Sequence, residues 1–141
     1  MDYKKFVSSG LVISTCMFSA VAMAELPACR YFERGVLFQA RAKVTEAIEN
    51  YSKAIELDAS YAPSYYNRGV CLTTFGESEK ALADFNKAIE LNDKYVSAYT
   101  RRGEYYLAKG DKEKAIADCN KALSYAPTNK AALALKAKCE K

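Results

Sequence analysis

The chain has 141 residues, half of them hydrophobic and 27% charged, which is enough apolar surface for one folded domain and too much for a disordered chain. It contains no His and no Trp, so Ser-His and Cys-His catalytic pairs and Cys/His zinc sites are excluded at the outset. Six glycines, three prolines and a formal net charge of +4 argue against a loop-rich β fold and against the dense basic patch of a nucleic-acid binder.

Residues 1–24 read MDYKKFVSSGLVISTCMFSAVAMA. Lys4 and Lys5 are followed by an uncharged run from Phe6, and Ala22-Met23-Ala24 offers small residues where a signal peptidase reads. The layout predicts a secretory signal peptide cleaved after Ala24, with 25–27 as a short linker. An uncleaved membrane anchor is the alternative, weakened by the Ser and Thr within the run. The protein is accordingly expected to be exported and periplasmic, with contact to a membrane only if this segment is retained.

A fixed period organises everything that follows. Gly35, Gly69 and Gly103 recur every 34 residues, each within the same string: Tyr31-x-x-Arg34-Gly35, Tyr65-x-x-Arg68-Gly69 and Tyr99-x-x-Arg102-Gly103. Ala47, Ala81 and Ala115 follow at one constant offset, and Ala54, Ala88 and Ala122, each preceded by Lys, at another. The units are 28–61, 62–95 and 96–129. Each reads as two helices joined by a tight turn, with Gly76 and Gly110 providing a left-handed helix end and acidic residues opening the next helix. In the first unit Ala42 stands where the turn glycine belongs, so a less sharply defined turn is expected there. Residues 130–141 begin a further helix, expected to act as a cap. The small residues imply close approach, with Gly35, Gly69 and Gly103 expected to face Ala47, Ala81 and Ala115. Arg34, Arg68 and Arg102 are expected to lay their stems along a neighbouring helix and keep their heads in water.

This pattern resembles the tetratricopeptide repeat family, whose unit is a 34-residue helix–turn–helix. The resemblance implies an all-α, right-handed solenoid of three repeats plus a capping helix, with a concave groove lined by the first helices. The family's groove positions map here onto Phe32, Val36, Tyr66, Asn67, Val70, Thr73, Arg101 and Glu104. Phe32 and Tyr66 are the expected anchors for an extended peptide or partner helix, Asn67 and Thr73 would pair with its backbone, and Arg101 would hold a carboxylate. The clamp by which some members grip acidic chaperone tails is matched at Asn67 and Arg101 only. Phe32, Val36 and Ser97 occupy its other positions, so that ligand is not expected.

The implied function is a non-enzymatic adaptor in cell-envelope complex assembly, taking a protein or peptide partner and no nucleic acid, small-molecule substrate, metal or cofactor. The alternative is a structural module that self-associates through its terminal repeats, the adaptor itself being a monomer or weakly self-associating. Four cysteines lie outside the leader. Cys119 and Cys139 stand ten residues either side of Asn129, near the turn of an antiparallel pair, which predicts a bridge between them; two buried thiols are the alternative.

Overall fold

The computed structural model describes residues 27–141, so the expected signal peptide and residues 25–26 of the expected linker lie outside the described residues. Among the described residues seven helices follow one another: α1 (Ala28–Ala40), α2 (Val44–Leu57), α3 (Ala62–Phe75), α4 (Ser78–Leu91), α5 (Val96–Ala108), α6 (Lys112–Tyr125) and α7 (Lys130–Cys139). α1–α2, α3–α4 and α5–α6 form hairpins; α2 packs on α3 and α4 on α5, and α7 closes against α6 and α5. Three stacked hairpins with a seventh helix make an all-α solenoid. None of the described helices is long and apolar enough to cross a membrane.

The turns inside the hairpins share one hydrogen-bonding scheme. Glu77 N–H donates to the Leu72 carbonyl at 2.8 Å and Gly76 N–H to that of Thr73 at 3.2 Å, with Gly76 at φ +93°. Asp111 and Gly110 repeat this on Tyr106 and Leu107, with Gly110 at φ +84°. Lys43 and Ala42 repeat it again on Phe38 and Gln39, with Ala42 at φ +57°. The first turn is therefore as sharply made as the others, contrary to the sequence expectation. Its hydrogen bonds hold a non-glycine residue left-handed at a cost of about 1 kcal/mol.

The seam within each hairpin also differs from expectation. A Cβ built on Gly35 would fall 2.6 Å from Tyr51 Cε1, and one on Gly69 would fall 2.7 Å from Phe85 Cε1. The glycines thus make room for a ring and not for the alanine four residues before it. In the third hairpin Cys119 stands where the ring would be, and a Cβ on Gly103 would instead meet Leu135 Cδ2 of α7 at 3.0 Å and the Ala115 carbonyl at 3.4 Å. Tyr51, Phe85 and Cys119 are all buried, as are the alanines beside them.

The repeated arginines are corrected as well. Arg68 Nε and Nη2 donate to the two carboxylate oxygens of Asp84 at 2.8 Å each, and Nη1 donates to Ser52 Oγ at 3.1 Å. Arg102 binds Asp118 in the same fork at 2.8 and 2.7 Å, and reaches Asn86 Oδ1 at 2.9 Å. These heads are drawn into the hairpin–hairpin interface, since both aspartates are buried. Only Arg34 is exposed. Position 50 is Asn, and its amide donates to the Glu46 carbonyl at 2.7 Å.

The tyrosines opening the second and third repeats have a further task. Tyr65 Oη donates to the Ala59 carbonyl at 3.2 Å and Tyr99 Oη to that of Asp93 at 3.0 Å, pinning each inter-repeat loop to the following helix.

Candidate functional site: the concave face

The first helices α1, α3 and α5 present the residues that differ from repeat to repeat. Phe32 and Tyr66 lie at equivalent positions, and both are half-buried. Phe32 packs on Tyr51 (centroids 5.7 Å apart) and edge-on against Tyr61 (5.2 Å). Tyr66 packs on Phe85 (6.1 Å) and Tyr95 (5.1 Å). Both rings are thus already engaged with neighbouring helices along part of their surface. Val70 is half-buried beside Leu72 and Phe85, whereas Val36 is 43% exposed.

The polar candidates are already engaged within the fold. Asn67 Nδ2 donates to the Pro63 carbonyl at 3.0 Å, and Thr73 Oγ1 donates to that of Gly69 at 3.0 Å. Thr73 has no donor left for a peptide backbone, whereas the Asn67 amide keeps a second N–H and its Oδ1. Arg101 Nη1 donates to Glu104 Oε2 at 3.0 Å, and contacts with Tyr66 and Glu104 hold the guanidinium above its usual pKa against the opposing effect of burial. Tyr66, Arg101 and Glu104 therefore form one linked group across α3 and α5. An incoming carboxylate would have to displace Glu104, which is exposed and makes only a surface pair.

Besides a hollow of about 390 Å³ between α5 and α7, lined by Glu104, Leu107, Ala108 and Leu135, two stand out among these helices. One, of about 490 Å³, is bounded by the start of α1, the end of α2 and the start of α3, and is lined by Phe32, Glu33, Asp58, Tyr61 and Ser64. The other, of about 290 Å³, lies between the second and third repeats and is lined by Thr73, Phe85, Arg101, Glu104, Tyr105 and Lys109. Tyr105 Oη donates to Glu79 Oε1 at 2.7 Å and Lys109 Nζ pairs with the same oxygen at 2.9 Å. Thr73, Arg101 and Glu104 are thus brought to one cavity, and Phe32 to another. Asp58 and Tyr61 were not among the candidates because they lie in the loop between α2 and α3, and Ser64 because its place at the start of α3 is not one of the groove positions. A hollow of about 490 Å³ between α2 and α4 is lined by the Arg68–Asp84–Ser52 group, whose members are hydrogen-bonded to one another.

Cys119 and Cys139 come into contact, buried with Ala115 and Leu135. Both are free thiols in the structure, so the expected bridge is not formed in it. Burial pushes the Cys119 thiol up to about 11, with Cys139 adding to the shift, and burial alone moves Cys71 to about 11. A buried, protonated thiol is a slow nucleophile.

Helical hairpins repeating every 34 residues, stacked through a glycine–ring seam around a concave face, define an α-solenoid interaction module. The chain belongs to the tetratricopeptide repeat family: one profile of that repeat matches residues 62–95 and 96–129, and a second TPR profile matches 30–72. Such repeats are protein–protein interaction modules. A comparison with curated protein sequences gave no match. Among solved structures, the chain is similar to the first TPR domain of Spaghetti (RPAP3) bound to the HSP90 peptide SRMEEVD, with 27% identity, a TM-score of 0.78, and 86% of this chain and 96% of that one covered. It is also similar to the second TPR domain of human RPAP3 in complex with the HSP70 peptide SGPTIEEVD (31% identity, TM-score 0.76, 81% and 95% covered). The Arabidopsis OM64 TPR domain is a third such structure (27% identity, TM-score 0.78, 80% and 93% covered).

Proposed function

We propose that this protein is a non-enzymatic adaptor that holds an extended peptide or partner helix along its concave face, exported by its first 24 residues to serve complex assembly in the cell envelope. The observation that carries the reading is a division of labour within the repeats. The buried glycine recurs in all three repeats and the ring and the Arg–Asp fork in two of them, while the residues lining the concave hollows change from copy to copy. Two of the similar structures hold peptides ending in EEVD. This groove places Phe32, Val36 and Ser97 where a carboxylate clamp would need its other polar and basic groups, so its partner is not an acidic tail of that kind.

The test is selection of a random dodecapeptide library on the immobilised full chain, followed by affinity measurement of the selected peptides. Val36→Asp and Arg101→Glu change exposed groove side chains and leave the hairpin seams intact. At least a tenfold loss of affinity in either variant is expected. Selected peptides that bind both variants as well as the parent would remove the groove from the account. Immunoblotting of cell fractions with N-terminal sequencing checks the export step, for which a chain starting at Glu25 is the expected product.

A further inference from the structure

The hollow at the junction of the first two repeats has a chemistry that the other junctions lack. Ser64 lies on its wall, 1% exposed, and its hydroxyl has no hydrogen-bond partner. A buried hydroxyl left unpaired is costly, and such groups are rare in native proteins unless something else completes them. The same cavity is lined by two carboxylates, Glu33 and Asp58, and by the rings of Phe32 and Tyr61, the latter 44% exposed. Asp58 Oδ1 accepts from the Ser60 N–H at 2.9 Å and the Ser60 hydroxyl at 2.6 Å, which holds its carboxyl below the usual range. The counter-charge within reach is Arg30, whose Nη1 stands 3.6 Å from Glu33 Oε2 with both side chains more than half exposed. A pair of that kind is weak and readily exchanged.

The repeat supplies its own control. At the next junction the equivalents of Glu33, Asp58 and Ser64 are Asn67, Asn92 and Ala98, while the ring pair is kept, Tyr66 and Tyr95 lying 5.1 Å apart where Phe32 and Tyr61 lie 5.2 Å apart. At the third they are Arg101, Ala126 and Ala132. Both carboxylates and the orphan hydroxyl therefore belong to the first junction alone.

We infer that this cavity is a subsite for a lysine or arginine side chain of the bound peptide, the aliphatic stem lying against Phe32 and Tyr61 and the cationic head donating to Asp58, Glu33 and the Ser64 hydroxyl. A cation over an aromatic wall gains from the ring quadrupole, and two carboxylates without a buried counter-ion provide the complementary charge. The inference rests on the concave face being a peptide groove and names the residue class that one end of it selects.

The library selection described above reads it directly when run in parallel on the full chain and on the Glu33→Gln/Asp58→Asn variant. Enrichment of Lys or Arg at one position, lost in the variant, is the expected result, with the affinity of the selected basic peptide falling at least tenfold. Replacing that Lys by norleucine should produce the same loss on the parent and no further loss on the variant. Selected peptides without basic enrichment, or with enrichment that persists in the variant, overturn the subsite and leave the groove standing. Failure to select any peptide overturns both. Ser64→Ala gives a second readout with opposite signs: the free protein should melt higher, having lost an unpaired hydroxyl, while the basic peptide binds several-fold more weakly. Unchanged affinity in that variant would remove Ser64 from the subsite.

Discussion

The buried Arg–Asp forks make the sharpest demand on the physical account, because their two halves are unequally exposed. The Arg68 side chain is 24% exposed and retains Ser52 as a partner, whereas the Asp84 side chain is 8% exposed. Removing Asp84 leaves a guanidinium that can swing toward water, while removing Arg68 leaves a carboxylate that cannot. Arg68→Met should therefore cost about 3 kcal/mol, as for other stranded buried charges. Asp84→Leu should cost about 1–2 kcal/mol, the scale of a lost charge-assisted hydrogen bond partly replaced by solvent. The double variant should recover to within about 1 kcal/mol of the parent, since an apolar pair of similar volume can fill the place of a buried ion pair. Arg34→Met is the internal control and should lie within about 0.5 kcal/mol of the parent, because Asn50 offers no fork and Arg34 is exposed. Urea denaturation followed by circular dichroism gives all four values, and for a domain of this size about 4 °C of melting temperature accompanies each kcal/mol. Equal losses in the two single variants, or a double variant as unstable as Arg68→Met, would refute the argument from unequal exposure.

Ala42 sits at φ +57° in a turn whose counterparts are glycine, so Ala42→Gly should raise stability by about 1 kcal/mol in the same denaturation assay. Gly69→Ala drives a Cβ to 2.7 Å from Phe85 and should cost about 1–3 kcal/mol, whereas Gly103→Ala, facing the flexible end of Leu135 at 3.0 Å, should cost less than half as much by thermal melting. Asp111 accepts from the Lys114 N–H at 3.1 Å at the start of α6, and that hydrogen bond, together with the Lys114 side chain, lowers its pKa. Its folded value lies below its unfolded one, so its contribution is present above the ordinary Asp range and lost as pH falls through the lowered value. Comparing the parent with Asp111→Asn between pH 2 and 6 should show the parent's advantage disappearing only at the acid end. Cys71 and Cys119, protonated and buried, should react with Ellman's reagent at pH 8 only as fast as the chain unfolds, and at once in guanidinium.

The period, the helix count and the turn positions were legible in the sequence because glycine spacing and apolar periodicity report directly on backbone geometry. The partners across the seam were misjudged for one geometric reason. Antiparallel helices joined by this turn bring position i against i+16, which pairs Gly35 with Tyr51, Gly69 with Phe85, Arg68 with Asp84 and Arg102 with Asp118. The aspartates were visible as a repeated signal, present in two units and replaced by Asn50 in the first, but charge near a solvated helix face reads as surface until the packing is known. The groove was legible as a set of positions and not as a set of available groups. Asn67 and Thr73 lie where a peptide would pass, yet each already donates to a backbone carbonyl four residues back, which leaves Asn67 one N–H and its Oδ1 and leaves Thr73 only acceptor capacity. Asp58 and Ser64 were out of reach because their cavity is assembled from the ends of three helices.

The third repeat separates scaffold from groove in a way the other two do not. In the first two, a ring over glycine closes the hairpin from within the unit. In the third, Cys119 is too small to do so, and Leu135 of α7 fills the space over Gly103 while Cys139 packs on Cys119. α7 is thus a working part of the third hairpin as well as a cover for its apolar edge. Because Arg101 and Glu104 flank Gly103 on α5, whatever loosens α7 also loosens the basis on which that end of the concave face is held. The first junction owes nothing to α7: its walls come from α1, α2 and α3, and its Phe32 ring rests on Tyr51, which closes its own hairpin, and against Tyr61. The two ends of the face therefore differ in what supports them as well as in charge: the acidic hollow stands on the first two hairpins, whereas the Arg101–Glu104 end stands on a hairpin completed by α7.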